Sequence, residues 1–259
     1  MKSKKTCSIY EQKQLTDDIF SMWLESADMA NEAVPGQFLS LYCNEGSRLL
    51  PRPISICEID KENGRLRMVY RVVGKGTEEF SKLKAGDSID VIGPLGNGFP
   101  LEEARGKKVM LMGGGIGVPP MISSASALEN LAEEVIVVAG YRDVQFLTDE
   151  LSSHASFYMA TEDGSAGSKG NVLDAVRENN LKADVIFACG PKPMLKAIKT
   201  YAQEKGIACW LSLEERMACG IGACLGCVCQ SKEVDGHSHV KNKRVCKDGP
   251  VFPAGEVEL

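Results

Sequence analysis

Hydrophobic and polar residues alternate in short runs along residues 1–104. Alternation with a period of two, in segments rich in β-branched and aromatic residues, predicts β-strands. Six segments have this pattern, and they span residues 5–15, 17–26, 37–43, 52–60, 64–73 and 87–94. Turn-forming pairs such as Pro35-Gly36 and Asn63-Gly64 separate several of them. Six short strands with few helical segments predict a small closed antiparallel barrel.

The pattern changes at Arg105, after which continuous apolar runs replace the alternation. Such runs predict buried strands, and they lie at residues 109–112, 135–140, 156–160, 184–190 and 208–213. Helical patterns lie between them, at residues 123–132, 171–180 and 191–206. Asn171 opens the second helix, and Gly206 ends the third. Strands that alternate with helices predict a parallel, Rossmann-like α/β domain over residues 105–213.

The last segment, residues 214–259, is rich in cysteine and has little hydrophobic periodicity. We therefore predict a third, small domain that something other than a hydrophobic core holds together. The predicted domains are thus the barrel in residues 1–104, the α/β domain in residues 105–213 and the cysteine-rich domain in residues 214–259.

Composition and charge argue against several classes of function. Hydrophobic residues make up 44% of the chain and charged residues 25%, as in ordinary soluble globular proteins. The net charge of −5, without a basic stripe, argues against nucleic-acid binding. No segment approaches the ~20 apolar residues of a membrane helix, and the N-terminus lacks the apolar stretch of a signal peptide. We therefore expect a cytoplasmic protein without a membrane partner, whose thiols stay reduced and form no disulfide framework.

Four cysteines have the spacing of an iron–sulfur ligand set. Cys219-x4-Cys224-x2-Cys227, followed by Cys246 after a gap of eighteen residues, matches the plant-type [2Fe–2S] pattern C-x4-C-x2-C…C. In such a site three thiolates on one tight loop hold the cluster, and a distant fourth completes the set. Small residues in the loop allow backbone N–H groups to approach the sulfurs. These small residues are Gly220, Gly222, Ala223 and Gly226.

A structural zinc site with four cysteines is the alternative. Zinc ribbons supply two separated C-x2-C pairs, whereas this chain has one such pair, with Cys219 upstream and Cys246 alone. Cys229 falls outside the four-ligand spacing and is interpreted as a non-ligand. The other five cysteines have apolar neighbours and are interpreted as small buried hydrophobes: Cys7, Cys43, Cys57, Cys189 and Cys209. The histidines lie in polar loops and are interpreted as solvated: His154, His237 and His239.

A one-electron cluster needs a donor or an acceptor, and two segments of the predicted barrel suit a flavin. In Arg52-Pro53-Ile54-Ser55 the arginine suits a cofactor phosphate, and the serine suits the flavin ring. Gly74-Lys75-Gly76-Thr77 precedes a helical segment, so its backbone N–H groups suit a pyrophosphate.

Two glycine-containing turns at strand ends suit a nicotinamide nucleotide. Gly113-Gly114-Gly115-Ile116-Gly117 follows a buried strand and precedes a helix, although it is not a complete G-x-G-x-x-G and a structural turn stays the alternative. Cys189-Gly190-Pro191 ends another strand, at the carboxyl edge where open α/β sheets bind ligands. NAD and NADP are not distinguished, because Arg142 suits a 2′-phosphate and Asp143 suits a ribose hydroxyl.

These motifs, in this order, carry a resemblance to known families. RPIS in a barrel, then GGGIGVPP and CGP in an α/β domain, resemble the ferredoxin–NADP reductase superfamily over residues 1–213. LSLEERMACGIGACLGCVC and RVCKDGPVF closely resemble the electron-transfer subunits of NAD-dependent, class B dihydroorotate dehydrogenases. This closer resemblance runs from end to end without a large insertion.

The resemblance implies three sets of site residues. FAD would bind Arg52, Pro53, Ile54, Ser55, Val69, Tyr70, Arg71, Gly76 and Thr77. One [2Fe–2S] cluster would be ligated by Cys219, Cys224, Cys227 and Cys246. NAD(H) would face Gly113, Gly114, Gly115, Gly117, Cys189, Gly190 and Pro191.

The resemblance also implies a relay of electrons. A separate catalytic subunit with FMN would oxidise dihydroorotate to orotate in pyrimidine biosynthesis, and the electrons would pass through the cluster and FAD of this chain to NAD⁺. We identify no dihydroorotate site and no catalytic residue for it in this chain. The family expectation is a heterotetramer of two plus two subunits, docked through residues 214–259.

Two rival interpretations remain open at this point. The first is the FAD and [2Fe–2S] subunit of another oxidoreductase, of the NADH-dependent ferredoxin:NADP oxidoreductase or sulfide dehydrogenase type. In that group the first cluster ligand is typically an aspartate, whereas this chain has Cys219. The second is a regulatory nucleotide-binding protein with structural zinc.

Overall fold

The N-terminal part forms a closed antiparallel barrel in a computed structural model, which describes residues 2–236 and 238–259. The strands are β1 (Lys5–Gln14), β2 (Ile19–Glu25), β3 (Phe38–Tyr42), β4 (Arg52–Asp60), β5 (Arg65–Arg71) and β6 (Ser88–Leu95). They close in the order β1-β2-β5-β4-β3-β6. Two short helices, α1 (Ala27–Glu32) and α2 (Lys75–Ser81), interrupt them. The prediction of a six-stranded barrel is confirmed.

Side chains that point into the barrel form its hydrophobic core. Alternate residues of a strand face opposite sides, so Leu39 and Leu41 of β3 lie inside with Met22, Met68 and Tyr70. Phe38 faces outward and packs against the C-terminal part of the chain instead. Strand β3 is therefore buried on both faces, which alternation in the sequence does not predict.

The second part is a mostly parallel sheet with helices. Its parallel strands are β7 (Lys108–Gly114), β8 (Glu134–Tyr141), β9 (Ser156–Thr161), β10 (Ser168–Lys169), β11 (Val185–Cys189) and β12 (Ala208–Ser212). Its helices are α3 (Pro120–Leu128), α4 (Thr148–His154), α5 (Val172–Glu178) and α6 (Lys192–Lys205). The Rossmann-like α/β prediction is confirmed.

Two of the predicted helix boundaries in this domain agree with the structure, whereas one helix is displaced and another was not predicted. The Asn171 side chain accepts a hydrogen bond from Leu173 N (2.9 Å), and Gly206 adopts a φ of 66° after α6. Helix α3 begins before residue 123 and ends at Leu128, so the predicted span of 123–132 is displaced. Helix α4 was not predicted, because its sequence TDELSSH buries only Leu151 and shows no apolar stripe.

The C-terminal part contributes to the same sheet. A hairpin of β13 (Val228–Gln230) and β14 (Asn242–Arg244) is followed by β15 (Val251–Pro253), which pairs antiparallel with β12. Phe252 is 2% exposed and lies in one hydrophobic cluster with Leu211. Packing thus helps to hold residues 214–259, contrary to expectation, because a three-residue strand is too short to show periodicity. The three-domain division itself stays a prediction.

Barrel and sheet share a packed interface. Phe99, which follows the barrel, stacks on Phe187 of β11 with ring centroids 4.9 Å apart. Arg67 of β5 is 7% exposed, and its guanidinium lies 2.9 Å from the Glu150 carboxylate of α4 and 3.2 Å from Glu58. This interface holds the carboxyl edge of the sheet against the barrel wall.

No helix within residues 2–236 and 238–259 has the length and the apolar character needed to cross a bilayer.

Candidate functional site

The cysteine loop precedes β13, and the hairpin brings the distant fourth cysteine to it. In the hairpin Val228 lies opposite Arg244, and Val245 N donates to the Cys227 carbonyl (2.9 Å). This register places Cys246 beside Cys227, and Cys246 N donates to Cys227 Sγ (3.4 Å). Cys219 and Cys224 form a second pair, with their Sγ atoms 3.3 Å apart.

Backbone N–H groups surround the four sulfurs. Gly222 N lies 3.2 Å from Cys246 Sγ, and Cys224 N lies 3.4 Å from Cys219 Sγ. Gly220 and Gly222 have φ angles of +69° and +81°, a region that favours glycine. These two glycines therefore allow the loop to turn its N–H groups toward the thiols, as expected.

The same N–H groups favour the thiolate form that binds metal. Burial opposes ionisation of Cys219, but hydrogen bonds from the backbone of Ile221 and Cys224 lower its pKa to about 7. The hydrogen bond from the Cys246 thiol lowers the pKa of Cys227 to about 6. By contrast, burial raises the pKa of Cys229 to about 11. Two predicted ligands thus have a lowered pKa, whereas the hydrogen bond with Cys227 and burial raise the pKa of Cys246.

The two thiol pairs fit a binuclear cluster. A [2Fe–2S] centre with four cysteines takes two of them on each iron, and Cys219/Cys224 with Cys227/Cys246 supply two such pairs. In the described residues, no group of three or more His, Cys, Asp or Glu side chains is placed to hold a single metal ion. Of the histidines, His154 lies 3.6 Å from Glu129, His239 is exposed, and His237 lies outside the described residues.

The barrel wall opens where the flavin motif lies. Strand β4 pairs with β3 from Arg52 to Ser55, whereas its ladder with β5 begins only at Ile56, opposite Met68. Beyond Met68, β5 pairs with β2 through Arg71. The edges of β4 at 52–55 and of β5 at 69–71 therefore diverge into a wedge. Residues 52–55 are all half-buried, as expected for the lining of a surface cleft.

Arg52 lies over the start of α2. A Cβ atom on Gly76 would overlap the Arg52 guanidinium, so only glycine allows this approach. The Thr77 hydroxyl accepts hydrogen bonds from Val73 N (3.0 Å) and Gly74 N (3.3 Å) and fixes the turn before the helix. One guanidinium and a helix start thus meet at one end of the wedge, an arrangement that favours a phosphate.

Residues 69–71 have side chains that are engaged elsewhere. The Tyr70 ring is buried in the barrel core, and its hydroxyl accepts from Gln12 Nε2 (2.8 Å). Val69 packs toward the sheet, and Arg71 Nε lies 3.1 Å from the Asp18 carboxylate. The backbone edge of this stretch is not paired with β4 and is thus left for the wedge, a detail that the motif itself does not reveal.

The two predicted nucleotide turns meet at the carboxyl edge of the sheet. Gly113 of β7 lies opposite Cys189 of β11. A Cβ atom on Gly117 would overlap the Cys189 carbonyl, so the turns pack backbone against backbone. Pro191 directly precedes α6, and a Cβ atom on Gly114 would lie 3.2 Å from its ring. The structure thus brings together every element predicted to face NAD(H).

Sequence reasoning missed two buried polar residues beside the cluster loop. Arg244 is 5% exposed, and its guanidinium donates to the Gly222 carbonyl (3.0 Å) and pairs with Asp235 (3.5 Å) and Asp248 (3.4 Å). Ser40 of β3 is 1% exposed and lies against Gly220. An arginine two positions before Cys246 was visible in the sequence, whereas nothing local marks Ser40.

Two family models and several curated proteins match this chain. A model of the iron–sulfur cluster binding domain of dihydroorotate dehydrogenase B matches residues 214–258, and an oxidoreductase FAD-binding domain matches residues 6–99. The chain is 42% identical to the dihydroorotate dehydrogenase B (NAD(+)) electron transfer subunits of Bacillus cereus (strain B4264) and Bacillus anthracis (strain CDC 684 / NRRL 3495), with 100% of each chain covered.

A solved structure shows the same fold. A chain of an NADH-dependent reduced ferredoxin-NADP oxidoreductase, solved in a study of flavin-based electron bifurcation, superposes with a TM-score of 0.86. It is 33% identical, and the superposition covers 97% of this chain and 89% of that one.

Proposed function

The chain belongs to the family of dihydroorotate dehydrogenase B electron transfer subunits, and on that basis we propose which of its residues carry electrons between a catalytic subunit and NAD⁺. In this role the chain accepts the electrons of dihydroorotate oxidation, a step of pyrimidine biosynthesis, from the FMN of a partner. FAD, when bound, exchanges hydride with a nicotinamide and single electrons with an iron–sulfur cluster. The two thiol pairs of the cysteine loop are the observation that carries this proposal.

The cluster is held as two pairs on two irons. Cys219 and Cys224 ligate one iron, and Cys227 and Cys246 ligate the other. The lowered pKa of Cys219 (about 7) favours metal binding near neutral pH, whereas the hydrogen bond between Cys227 and Cys246 lowers the pKa of Cys227 and raises that of Cys246. The backbone N–H groups of Gly222 and Cys224, which already point at sulfur, stabilise negative charge on the cluster.

FAD lies in the wedge between β4 and β5. Arg52 pairs with its pyrophosphate beside Gly76 and Thr77, while Pro53, Ile54 and Ser55 line the flavin ring. The strand edge at residues 69–71 offers backbone N–H and C=O groups to the cofactor from the other side. This placement sets the flavin between the carboxyl edge of the sheet and the cysteine loop.

NAD(H) approaches along the edge formed by residues 113–117 and 189–191. The crossing of these two turns places the glycine turn beside the start of α6. The start of α3 offers no donor for a phosphate, because Pro119 and Pro120 have no N–H group. Arg142 and Asp143 are both exposed after β8, and the Asp143 carboxylate accepts from Val144 N (2.7 Å). The choice of NAD over NADP rests on the family.

Dihydroorotate binds to the partner and not to this chain. The partner is a catalytic subunit that holds FMN, and we propose a heterotetramer of two plus two subunits in the cytoplasm. Residues of the cysteine loop form the docking surface, because the cluster must come close to the partner's FMN. Ile221 and Leu225, next to the ligands, are 51% and 49% exposed.

Metal and flavin analysis of two cysteine variants tests this proposal. Anaerobically purified wild-type protein should contain one [2Fe–2S] cluster and one FAD per chain, and NADH should bleach both. Cys224→Ala should lose the iron and keep the FAD, whereas Cys229→Ala should keep both. Dihydroorotate, added with the FMN subunit, should then reduce NAD⁺ only with the proteins that retain the cluster.

Zinc in place of iron, with no bleaching by NADH, would contradict the electron-transfer role. Loss of iron from Cys229→Ala with retention in Cys224→Ala would contradict the ligand assignment alone.

A further inference from the structure

Ser40 is a buried hydroxyl group without a hydrogen-bond partner among the described residues. The residue is 1% exposed, and its Oγ atom makes no hydrogen bond in residues 2–236 and 238–259. A buried polar group left unsatisfied costs about 1–3 kcal/mol. Such groups are rare in native proteins and call for a specific explanation.

Ser40 lies on the side of β3 that faces the C-terminal segment. Its neighbours Leu39 and Leu41 point into the barrel core. Phe38, two residues away on the same face, packs in one cluster with Cys227 and Cys246. The Ser40 side chain is therefore directed out of the barrel, toward the cysteine loop.

The hydroxyl lies between the two proposed cofactor sites. On one side, a Cβ atom on Gly220 would lie 2.7 Å from Ser40 Oγ, and Gly220 directly follows the ligand Cys219. On the other side, Ser40 is paired in the β-ladder with Pro53 of the flavin motif. Glycine at position 220 keeps the space between this hydroxyl and the loop backbone free of a side chain.

We propose that the Ser40 hydroxyl donates a hydrogen bond to a sulfur of the [2Fe–2S] cluster, on the side of the cluster that faces the flavin. The inference rests on the proposed function and adds a residue from the barrel to the cluster environment. A serine hydroxyl has one proton to donate, and the proposed ligand Cys219, next to Gly220, would hold cluster sulfur on this side of the loop. A donor to sulfur stabilises the more negative, reduced cluster and so raises its reduction potential.

The test compares Ser40→Ala with Ser124→Ala in the holoprotein. Ser124 is 0% exposed, but its hydroxyl donates to the Pro120 carbonyl within α3 (2.9 Å) and so already has a partner. Redox titration, followed by electron paramagnetic resonance of the cluster and absorption of the flavin, gives the two potentials separately. Ser40→Ala should make cluster reduction about tenfold less favourable, ~59 mV for one electron, with the FAD potential unchanged. Ser124→Ala should change neither potential.

Each other outcome overturns the proposal in a distinct way. An unchanged cluster potential in Ser40→Ala means that the hydroxyl does not contact the cluster, and a shift of the FAD potential alone assigns it to the flavin. If Ser40→Ala fails to retain the cluster, Ser40→Thr decides, because it keeps the hydroxyl and should restore both retention and potential. Failure to restore them means that the residue acts by packing. The proposed function fails separately, if wild-type protein contains no cluster or no FAD.

Discussion

Single glycines permit close approaches that bring functional groups together. Gly76 lies beneath the Arg52 guanidinium, and Gly117 lies beneath the Cys189 carbonyl. Gly222, with a φ of +81°, turns its N–H toward Cys246 Sγ. A side chain at Gly117 would push the two nucleotide turns apart, and one at Gly76 would displace the Arg52 guanidinium. The geometry of the proposed sites therefore depends on glycine at these positions as well as on the side chains that would contact the cofactors.

Gly76→Ala should weaken FAD binding without destabilising the protein. The new Cβ atom would displace the Arg52 guanidinium, and loss of a charged hydrogen bond worth about 1.5–3 kcal/mol lowers affinity about 10–100-fold. Alanine is a better helix former than glycine by about 1 kcal/mol, so stability should not fall. Flavin fluorescence titration of the apoprotein measures the affinity, and thermal unfolding measures the stability.

Gly74→Ala is the matched control, because its φ of −178° is extended and a Cβ atom there meets no atom of residues 2–236 and 238–259 within 4 Å. It should bind FAD like the wild type. Equal affinity of Gly76→Ala and the wild type would show that Arg52 does not hold the phosphate.

At the scale of secondary-structure elements, β4 and β5 have two roles along their length. Where they pair with each other, from Ile56 and Met68 onward, they close the barrel; where they part, they form the wedge proposed for FAD. The closed part also carries Arg67, whose side chain reaches Glu150 of α4 and Ser21 of β2 (2.8 Å). The same strand thus helps to form the flavin site and anchors the nucleotide-binding sheet against it.

Arg67→Met should lower the free energy of unfolding by about 1–3 kcal/mol. Removing one partner of a buried ion pair leaves the other charge uncompensated, at a cost of about 3–5 kcal/mol. The cost is smaller here, because Glu58 and Glu150 are 38% and 42% exposed and water screens them. Denaturant unfolding measures the difference.

Arg105→Met is the control, since Arg105 is 63% exposed and, in the described part of the chain, pairs with Glu102 alone, within its own turn. Its effect should stay within about 0.5 kcal/mol. Equal effects of the two variants would argue against a stabilising contact between β5 and α4.

For the whole molecule, the cysteine loop is both part of the fold and part of its surface. Cys227 and Cys246 are each 2% exposed and belong to one hydrophobic cluster with Phe252 of β15. Ile221 and Leu225 on the same loop are half exposed. The cluster site is thus anchored on the sheet while its outer side stays open to a partner.

The double variant Ile221→Asp/Leu225→Asp should weaken binding of the FMN subunit while the cluster is retained. Two carboxylates placed in a protein interface lose hydration without gaining a partner, so the Kd should rise about tenfold or more, at 1.4 kcal/mol for each factor of ten. Analytical ultracentrifugation with the FMN subunit measures the Kd, and the visible spectrum reports the cluster.

Val144→Asp is the matched control, because Val144 is 58% exposed but lies in the loop after β8. It should leave the Kd unchanged. An unchanged Kd in the double variant would place the partner on another surface.

Local features of the chain were determined by the sequence alone. The six barrel strands follow from alternation, the parallel sheet follows from apolar runs between helices, and the ligand spacing lies within a single loop and one later cysteine. These features depend on residues that are close in sequence, because the strand period, the helix period and the spacing of the first three cluster ligands each span only a few residues. The family resemblance adds the flavin and nucleotide assignments, which stay predictions.

Tertiary structure alone decided the long-range features. These are the pairing of Cys219 with Cys224 and of Cys227 with Cys246, the parting of β4 from β5 at Ile56, and the addition of β15 to the sheet. Ser40 and Arg244 became visible as cluster neighbours only when the barrel and the hairpin were placed against the loop. Strand register and packing between distant segments depend on how whole elements fit together, and no local pattern of residues encodes that fit.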